Sequence, residues 1–393
     1  MKRYVLVMIA CYAAFAVAFA QSFVAGGFDY DIVADTEFGA SAKVVSISDA
    51  SAIVDGVLMF PSIVYNEGIG YTVTEIGNSI LPDVSGKVPE NTELVEALKG
   101  VRSITFPEKL LEIGYGNFNG IALLSEVKFG SYLKEICYGS FNNLKSLENV
   151  DFPESLEHIG EFCFSETAIR KLRLSPDILI DDNSFCYMTE LSEIDFNGMQ
   201  AYNTGIFSYN PMIEKIVFPR KVYSIYGRAF SNLESLKAVI LPAETDIQIG
   251  ASAFRGCTHL KQIYATGVTP LKTHENEPLG ANNLDYSEIT LYVPVGSIDA
   301  YKADPVWNVY GTIVEYDPAG FDPVYSGASP YAQSIGGGKI VVYDGKGKHV
   351  LIATVDGKII SDAIISDNEA VFSPGKGLFV VVIDGISMKL AIY

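Results

Sequence analysis

A phenylalanine returns at positions 118, 141, 164, 185, 207, 230 and 254, at steps of 23, 23, 21, 22, 23 and 24 residues. A second marker keeps pace with it: Phe106, Phe129, Phe152, Leu174, Phe196, Phe218 and Leu241. The segments that carry both run from "VRSITFPEKLLEIGYGNF" (Val101–Phe118) through "LENVDFPESLEHIGEFCF" (Leu147–Phe164) to "LKAVILPAETDIQIGASAF" (Leu236–Phe254). A unit of about 23 residues cannot bury an apolar face by itself, so seven in register predict a stack in which each coil covers its neighbour.

Each coil reads as a short strand of the form L-x-x-I-x-F, a Pro or Gly turn, a second extended piece ending in Ile-Gly, and a Phe-centred turn. Pro107, Pro153, Pro219 and Pro242 close strands, the place a residue without an N–H can occupy. Gly114 and Gly160 suit a tight corner. The pattern L-x-x-I-x-F-P-x-x-L-x-x-I-G-x-x-A-F-x-x-C resembles the BspA-like leucine-rich repeat family of surface and secreted bacterial proteins, over about residues 71–316. The resemblance implies a mostly β, right-handed solenoid of short parallel strands with caps at both ends. "GVLMFPSIVYNEGIGYTVTEIG" (Gly56–Gly77) looks like the family's hairpin leading into the first repeat, and "TLYVPVGSIDAYKADPVWNVYGTIVEY" (Thr290–Tyr316) like its closing cap around Trp307. Two places depart from the pattern. Residues 81–100 expand the first repeat, with one or two helical turns expected over 92–98, and the repeat at 198–209 lacks its Ile-Gly.

The flanks give the other domains. Residues 1–20 have Lys2 and Arg3, then a charge-free apolar run from Tyr4 to Phe19 and small Ala18 and Ala20, which is the pattern of a signal peptide cleaved before Gln21. The reading is then a β cap at 21–76, the solenoid at 77–316 with its C-terminal cap from about 267, a Pro-, Gly- and Ser-rich linker at 317–338, and a small β-sandwich at 339–393. In that last part Asp344-Gly345, Asp356-Gly357 and Asp384-Gly385 are hairpin signals between β-branched runs. It resembles the C-terminal sorting-type domains of exported Bacteroidetes proteins, notably in "GKGLFVVVIDGISMKLAIY", which implies a role in export or attachment; an accessory β-domain is the other reading.

Charge narrows the partners. The net charge of −19 becomes −21 once Lys2 and Arg3 leave with the leader, which disfavours nucleic acid and anionic membranes. No transmembrane span is expected after processing. Four cysteines then remain (Cys137, Cys163, Cys186, Cys257), too few for a disulfide scaffold, and the sequence leaves open whether Cys163 and Cys186 pair. There is no CxxC, HExxH or GxSxG motif, "GGGK" at Gly336–Lys339 lacks the rest of a phosphate loop, and the acidic "FDYDIVADTE" lacks calcium-loop spacing. No enzyme, metal or cofactor is expected.

Recognition remains. In L-x-x-I-x-F the residues before Ile and before Phe point outward. The outward pairs are Ser103/Thr105, Glu126/Lys128, Asn149/Asp151, Lys171/Arg173, Glu193/Asp195, Lys215/Val217, Ala238/Ile240 and Gln262/Tyr264. A charge ladder is expected in Asp151, Lys171, Arg173, Glu193, Asp195 and Lys215, with Lys171 and Arg173 lying between the acids of both neighbours. Beyond it, Val217, Ala238, Ile240, Gln262 and Tyr264 form a mostly apolar patch, either open to a partner or covered by the C-terminal cap around Leu279–Trp307 or by the β-sandwich. The expected function is an exported adhesion or interaction module that binds a host or microbial protein or a glycan through this face. The alternative is a structural cell-envelope solenoid with no dedicated ligand.

Overall fold

The computed structural model describes residues 21–82, 92–219, 222–242, 247–272, 278–279, 283–316, 331–334, 339–343, 347–366, 369–383 and 386–392. The expected signal peptide and most of the expected linker lie outside them.

The chain is mostly β with few helices, and its repeats stack in parallel on two faces. On the first face Val57–Met59, Ser103–Thr105 and Glu126–Lys128 pair in register, Leu58 to Ile104 to Val127. Lys171–Arg173 pairs with Glu193–Asp195. Lys215–Val217, Ala238–Ile240, Gln262–Tyr264, Thr290–Pro294 and Thr312–Tyr316 follow in one five-stranded sheet. On the second face the strands ending at Ile76, Ile113, Ile136, Ile159 and Ile180 continue one another, and those ending at Tyr202, Ile225 and Ile249 form a further sheet.

Between the faces lies the core that the two markers built. Phe118, Phe141, Phe164, Phe185, Phe207, Phe230 and Phe254 form one stacked column with successive ring centroids 5.2, 5.2, 5.7, 5.8, 5.7 and 5.4 Å apart. At the strand ends Phe60, Phe106, Phe129 and Phe152 make a second column, which stops at Leu174. Where the Ile-Gly is missing, Tyr202 takes the isoleucine's place, fully buried, with its hydroxyl donating to Met199 O at 3.1 Å. Asn203 then takes the place of the glycine and bonds Ile180 O through Nδ2 at 2.7 Å.

Phe60 stacks on Phe106 and Leu58 pairs with Ile104, so 57–76 already stacks on the next coil as a rung does. Ahead of it Ser22–Ala25, Phe28–Thr36 and Gly39–Ile47 pair antiparallel, and Gly39–Ile47 then pairs parallel with Ile69–Ile76. The cap thus prolongs the second-face sheet and closes its end. The expanded first repeat does hold a helix, Thr92–Lys99. Towards the C-terminus, Tyr331–Ser334, within the expected linker, is a strand paired with Ile340–Tyr343.

That domain has two antiparallel sheets. One holds Tyr331–Ser334, Ile340–Tyr343 and Glu369–Phe372; the other holds Ile359–Ile364, His349–Thr354, Gly377–Ile383 and Ile386–Ile392. They share an apolar cluster that includes Ile340, Val342, Val350, Ile352, Phe379 and Val381. Gly357 (φ 89°) turns the expected hairpin at 356–357. Asp344-Gly345 lies outside the described residues, and the strands on either side of it belong to different sheets rather than to one hairpin.

Candidate functional site

The outward side chains of the first face are where recognition was expected. Lys171 Nζ sits 2.6 Å from Glu193 Oε2, and Arg173 Nε 3.6 Å from Asp195 Oδ2, directly across the strand pair. Burial raises the Asp195 carboxyl above its usual range, opposed by the Asn197 amide and by Arg173. Lys171 and Arg173 are exposed, Glu193, Asp195 and Lys215 half-buried.

The ladder differs from the expectation on its other side. Asn149 and Asp151 are exposed but lie in no strand, and the link to that rung is made one residue earlier, Arg170 Nη2 to Glu148 Oε1 at 3.2 Å. The interruption adjoins the shortest step of the repeat, the 21 residues from Phe164 to Phe185. The same position carries Glu214–Lys237 at 2.6 Å and Lys261–Glu288 at 3.2 Å, a row of ion pairs that the outward-pair reading passed over.

The apolar patch is not open. Ile240 is 1% exposed and Tyr264 8%, and Ala238 is also buried; only Gln262 stands in solvent. The three pack together with Val217, Tyr292 and Tyr316. Tyr292 lies on the next strand and stacks on Tyr264 with centroids 4.5 Å apart, and Tyr316 meets Tyr264 edge-on at 5.8 Å. The Tyr316 hydroxyl donates to Ala265 O at 3.2 Å, which holds its ring across the face. The outward direction is as the pleat dictates, but the cap strands bring their own aromatics and close that end.

The second face carries a charge row that the first-face reading missed. Lys43, Glu75, Glu112, Glu135 and His158 are register neighbours on five successive strands. Lys43 pairs with Glu75 at 3.2 Å, and His158 lies between Glu135 (Nδ1–Oε1 3.2 Å) and Asp181 (Nε2–Oδ2 3.1 Å). Those two bonds raise the His158 pKa from 6.5 to about 9 against the opposing effect of burial. Burial, and then the neighbouring Glu75 and Glu135, raise the Glu112 carboxyl. The signal for this row was in the residue before each Ile of the second strand.

A pH dependence follows. A histidine whose pKa is raised by folding contributes stability that is complete below pH 6.5 and lost as the pH rises through about 9. The urea midpoint is expected to fall from pH 6 to pH 9.5, and His158→Gln to flatten that fall. An equally steep fall in His158→Gln would assign the effect elsewhere.

The four thiols are all raised above the ordinary cysteine range. Burial pushes Cys163, Cys186 and Cys257 up to about 12, and Cys137 is raised by burial and by the adjacent Glu135 and Glu112 carboxylates. All four are free thiols. Among the described residues no group of three or more His, Cys, Asp or Glu is placed to hold a metal ion, and no helix is long and apolar enough to cross a membrane.

Residues 96–187 and 178–274 match the model of the BspA type leucine rich repeat region, in six copies. The repeat region belongs to the BspA-type leucine-rich repeat family. Residues 332–392 match a domain of unknown function, DUF6383. A leucine-rich repeat protein from Bacteroides ovatus ATCC 8483 is similar in fold, at TM-score 0.51 and 18% identity over 75% of this chain and 76% of that one. The pneumococcal vaccine antigen PcpA is similar at TM-score 0.33 and 15% identity, over 76% of this chain and 99% of that one. A leucine rich cell surface protein from Faecalibacterium prausnitzii A2-165 is similar at TM-score 0.30 and 16% identity, over 79% and 97%. No curated protein matches the sequence. BspA-type repeats suggest a surface protein-interaction module.

Proposed function

We propose that this is an exported, non-enzymatic recognition protein whose solenoid binds a host or microbial protein or a glycan. The site is the part of the first face that stays open, Asp151, Lys171, Arg173, Glu193 and Asp195, with Lys215 at its edge. One observation supports the reading: Lys171, Arg173, Glu193 and Asp195 stand in register on two paired strands there, while the apolar end of the same face is closed by Tyr292 and Tyr316. The coil is right-handed in this reading, and the two C-terminal sheets form a β-sandwich that serves export or attachment. The leader is cleaved after Ala20, which leaves the protein secreted or on the cell surface. No cofactor or metal takes part.

A second reading has its own support. Lys171–Glu193 and Arg173–Asp195 pair with each other across the strands, as they would in a purely structural envelope solenoid.

The test uses immobilised chain from Gln21 onward against extracellular-matrix proteins and a glycan array. Lys171→Glu with Arg173→Glu is expected to abolish capture while costing little stability, since exposed pairs contribute about 0.2–1 kcal/mol each. Absence of any captured partner, or capture that survives both reversals, favours the structural reading.

A further inference from the structure

After each buried Phe the turn holds one residue in the left-handed region: Gly120, Asn143, Glu166, Tyr187, Tyr209, Asn232 and Gly256, with φ of 74, 58, 60, 57, 60, 56 and 82°. Glycine and asparagine adopt that conformation most readily, and a bulky residue there is an outlier. Two successive rungs nevertheless use tyrosine. The backbone does not require it: Tyr187 N donates to Ser208 O at 3.1 Å and Tyr209 N to Ser231 O at 2.9 Å, as Asn232 N donates to Arg255 O at 2.7 Å. The core does not require it either. The two rings stack with centroids 4.5 Å apart and planes 12° apart, yet they are 46% and 44% exposed, with Met212 on the same turn 51% exposed. Strained backbone that holds two rings nearly half in solvent points to a role outside the fold.

The stack stops at Tyr209. On the next rung the Asn232 side chain leans onto Gly256, its Oδ1 occupying the space a side chain at 256 would need. The rungs after Tyr209 therefore carry a short amide and a glycine where the two before carry rings. Exposed Glu234, Arg255 and His259 surround this step.

We propose that the Tyr187–Tyr209 stack is a binding platform for a neutral glycan, with one hexopyranose ring lying on the open side of Tyr209 over Asn232 and Gly256. Parallel rungs repeat at about 4.8 Å, close to the 4.5 Å between the two tyrosine ring centroids, so a sugar one rung beyond Tyr209 continues the column that the tyrosines begin. The C–H face of a pyranose packs on an aromatic plane. Its hydroxyls need donors and acceptors together, which the Asn232 amide, Glu234 and Arg255 supply. The mixed signs of that rim, on a chain of net charge −19, favour an uncharged ligand over a polyanion. This edge is separate from the first sheet face and does not depend on it.

Isothermal titration of the chain from Gln21 onward with cellohexaose, maltohexaose and mannohexaose tests the site. At least one is expected to bind, and Tyr209→Asn to weaken it about tenfold or more, the loss of one good contact. Asparagine is at home at this φ, so the thermal midpoint of Tyr209→Asn is expected to hold or rise, which separates lost binding from lost folding. Asn232→Tyr extends the stack into the sugar's place and is expected to block binding. Lys171→Glu with Arg173→Glu is expected to leave it unchanged. Failure of all three oligosaccharides to bind at about 10 mM, or binding by Tyr209→Asn within about twofold of the parent, overturns the proposal.

Discussion

Phe207→Ala is expected to lower the unfolding free energy by about 3–5 kcal/mol, the range for a fully buried aromatic truncated in a core that cannot collapse around the gap. Phe207 is fully buried as the fifth ring of the seven-ring column, 5.8 Å from Phe185 and 5.7 Å from Phe230, with Phe196 against it at 5.8 Å. In a solenoid the interfaces between neighbouring repeats supply much of the stability, and this one residue takes part in two of them. The loss is therefore expected to split the molecule as well as weaken it. Trp307 is the sole tryptophan and lies in the C-terminal cap, buried, with Nε1 donating to Leu271 O at 2.9 Å. Its fluorescence reports the C-terminal block, whereas far-UV circular dichroism reports every rung. In the parent the two denaturant curves are expected to coincide; in Phe207→Ala they are expected to separate. A cost below about 1 kcal/mol with coincident curves would show that neighbouring rings close the gap.

The column was legible because its period is set by chemistry that sequence displays. An apolar residue that must meet its counterpart one coil later recurs at coil length, and Phe118 to Phe254 does so. The rung at 57–76 was harder to see. It contains a β-hairpin, Ile63–Asn66 with Ile69–Ile76, turned by Glu67 and Gly68 at φ of 50 and 81°, and the extra strand disguises a repeat whose Phe60 and Ile76 hold the ordinary positions. The second-face charge row was readable by the argument used for the first face, had the residue before each second Ile been lined up in the same way. The tyrosines at 187 and 209 stand two residues after a column Phe, where the other rungs show Gly, Asn or, once, Glu, so register marks two successive rings there as unusual.

Cover was the quantity that sequence did not supply. Pleat fixes the direction of a side chain, and Ile240 and Tyr264 do point away from the solenoid core, whose side of the same strands is lined by Val239 and Ile263. What then lies over them depends on Tyr292 and Tyr316. These arrive on strands 28 and 52 residues downstream of Tyr264, as the numbering gives, and belong to the cap rather than to the repeat.

Ile240→Asp is accordingly expected to unfold the C-terminal end of the repeat stack, at a cost of about 4 kcal/mol or more, because it places an unpaired carboxylate at a position only 1% exposed inside an apolar cluster. Tyr264→Ala is expected to cost about 3 kcal/mol, from the lost volume and from the lost stack on Tyr292. Gln262→Ala, one turn of the pleat away and in solvent, is expected to change stability by less than about 0.5 kcal/mol. Chemical denaturation of the three variants checks the order. Coupling sharpens it: Tyr264→Ala and Tyr292→Ala together are expected to cost less than the sum of the two alone, by about 0.5–1.5 kcal/mol, since the ring pair is lost only once. The pH response separates charge from shape. A carboxyl held in that cluster has its pKa raised by desolvation, so Ile240→Asp is expected to recover stability as the pH falls toward 4.5, where Ile240→Ala shows no such gain. An Ile240→Asp protein with its midpoint at the parent value, and no acid recovery, would mean that Tyr292 and Tyr316 leave the face open in solution and that its apolar end is available to a partner.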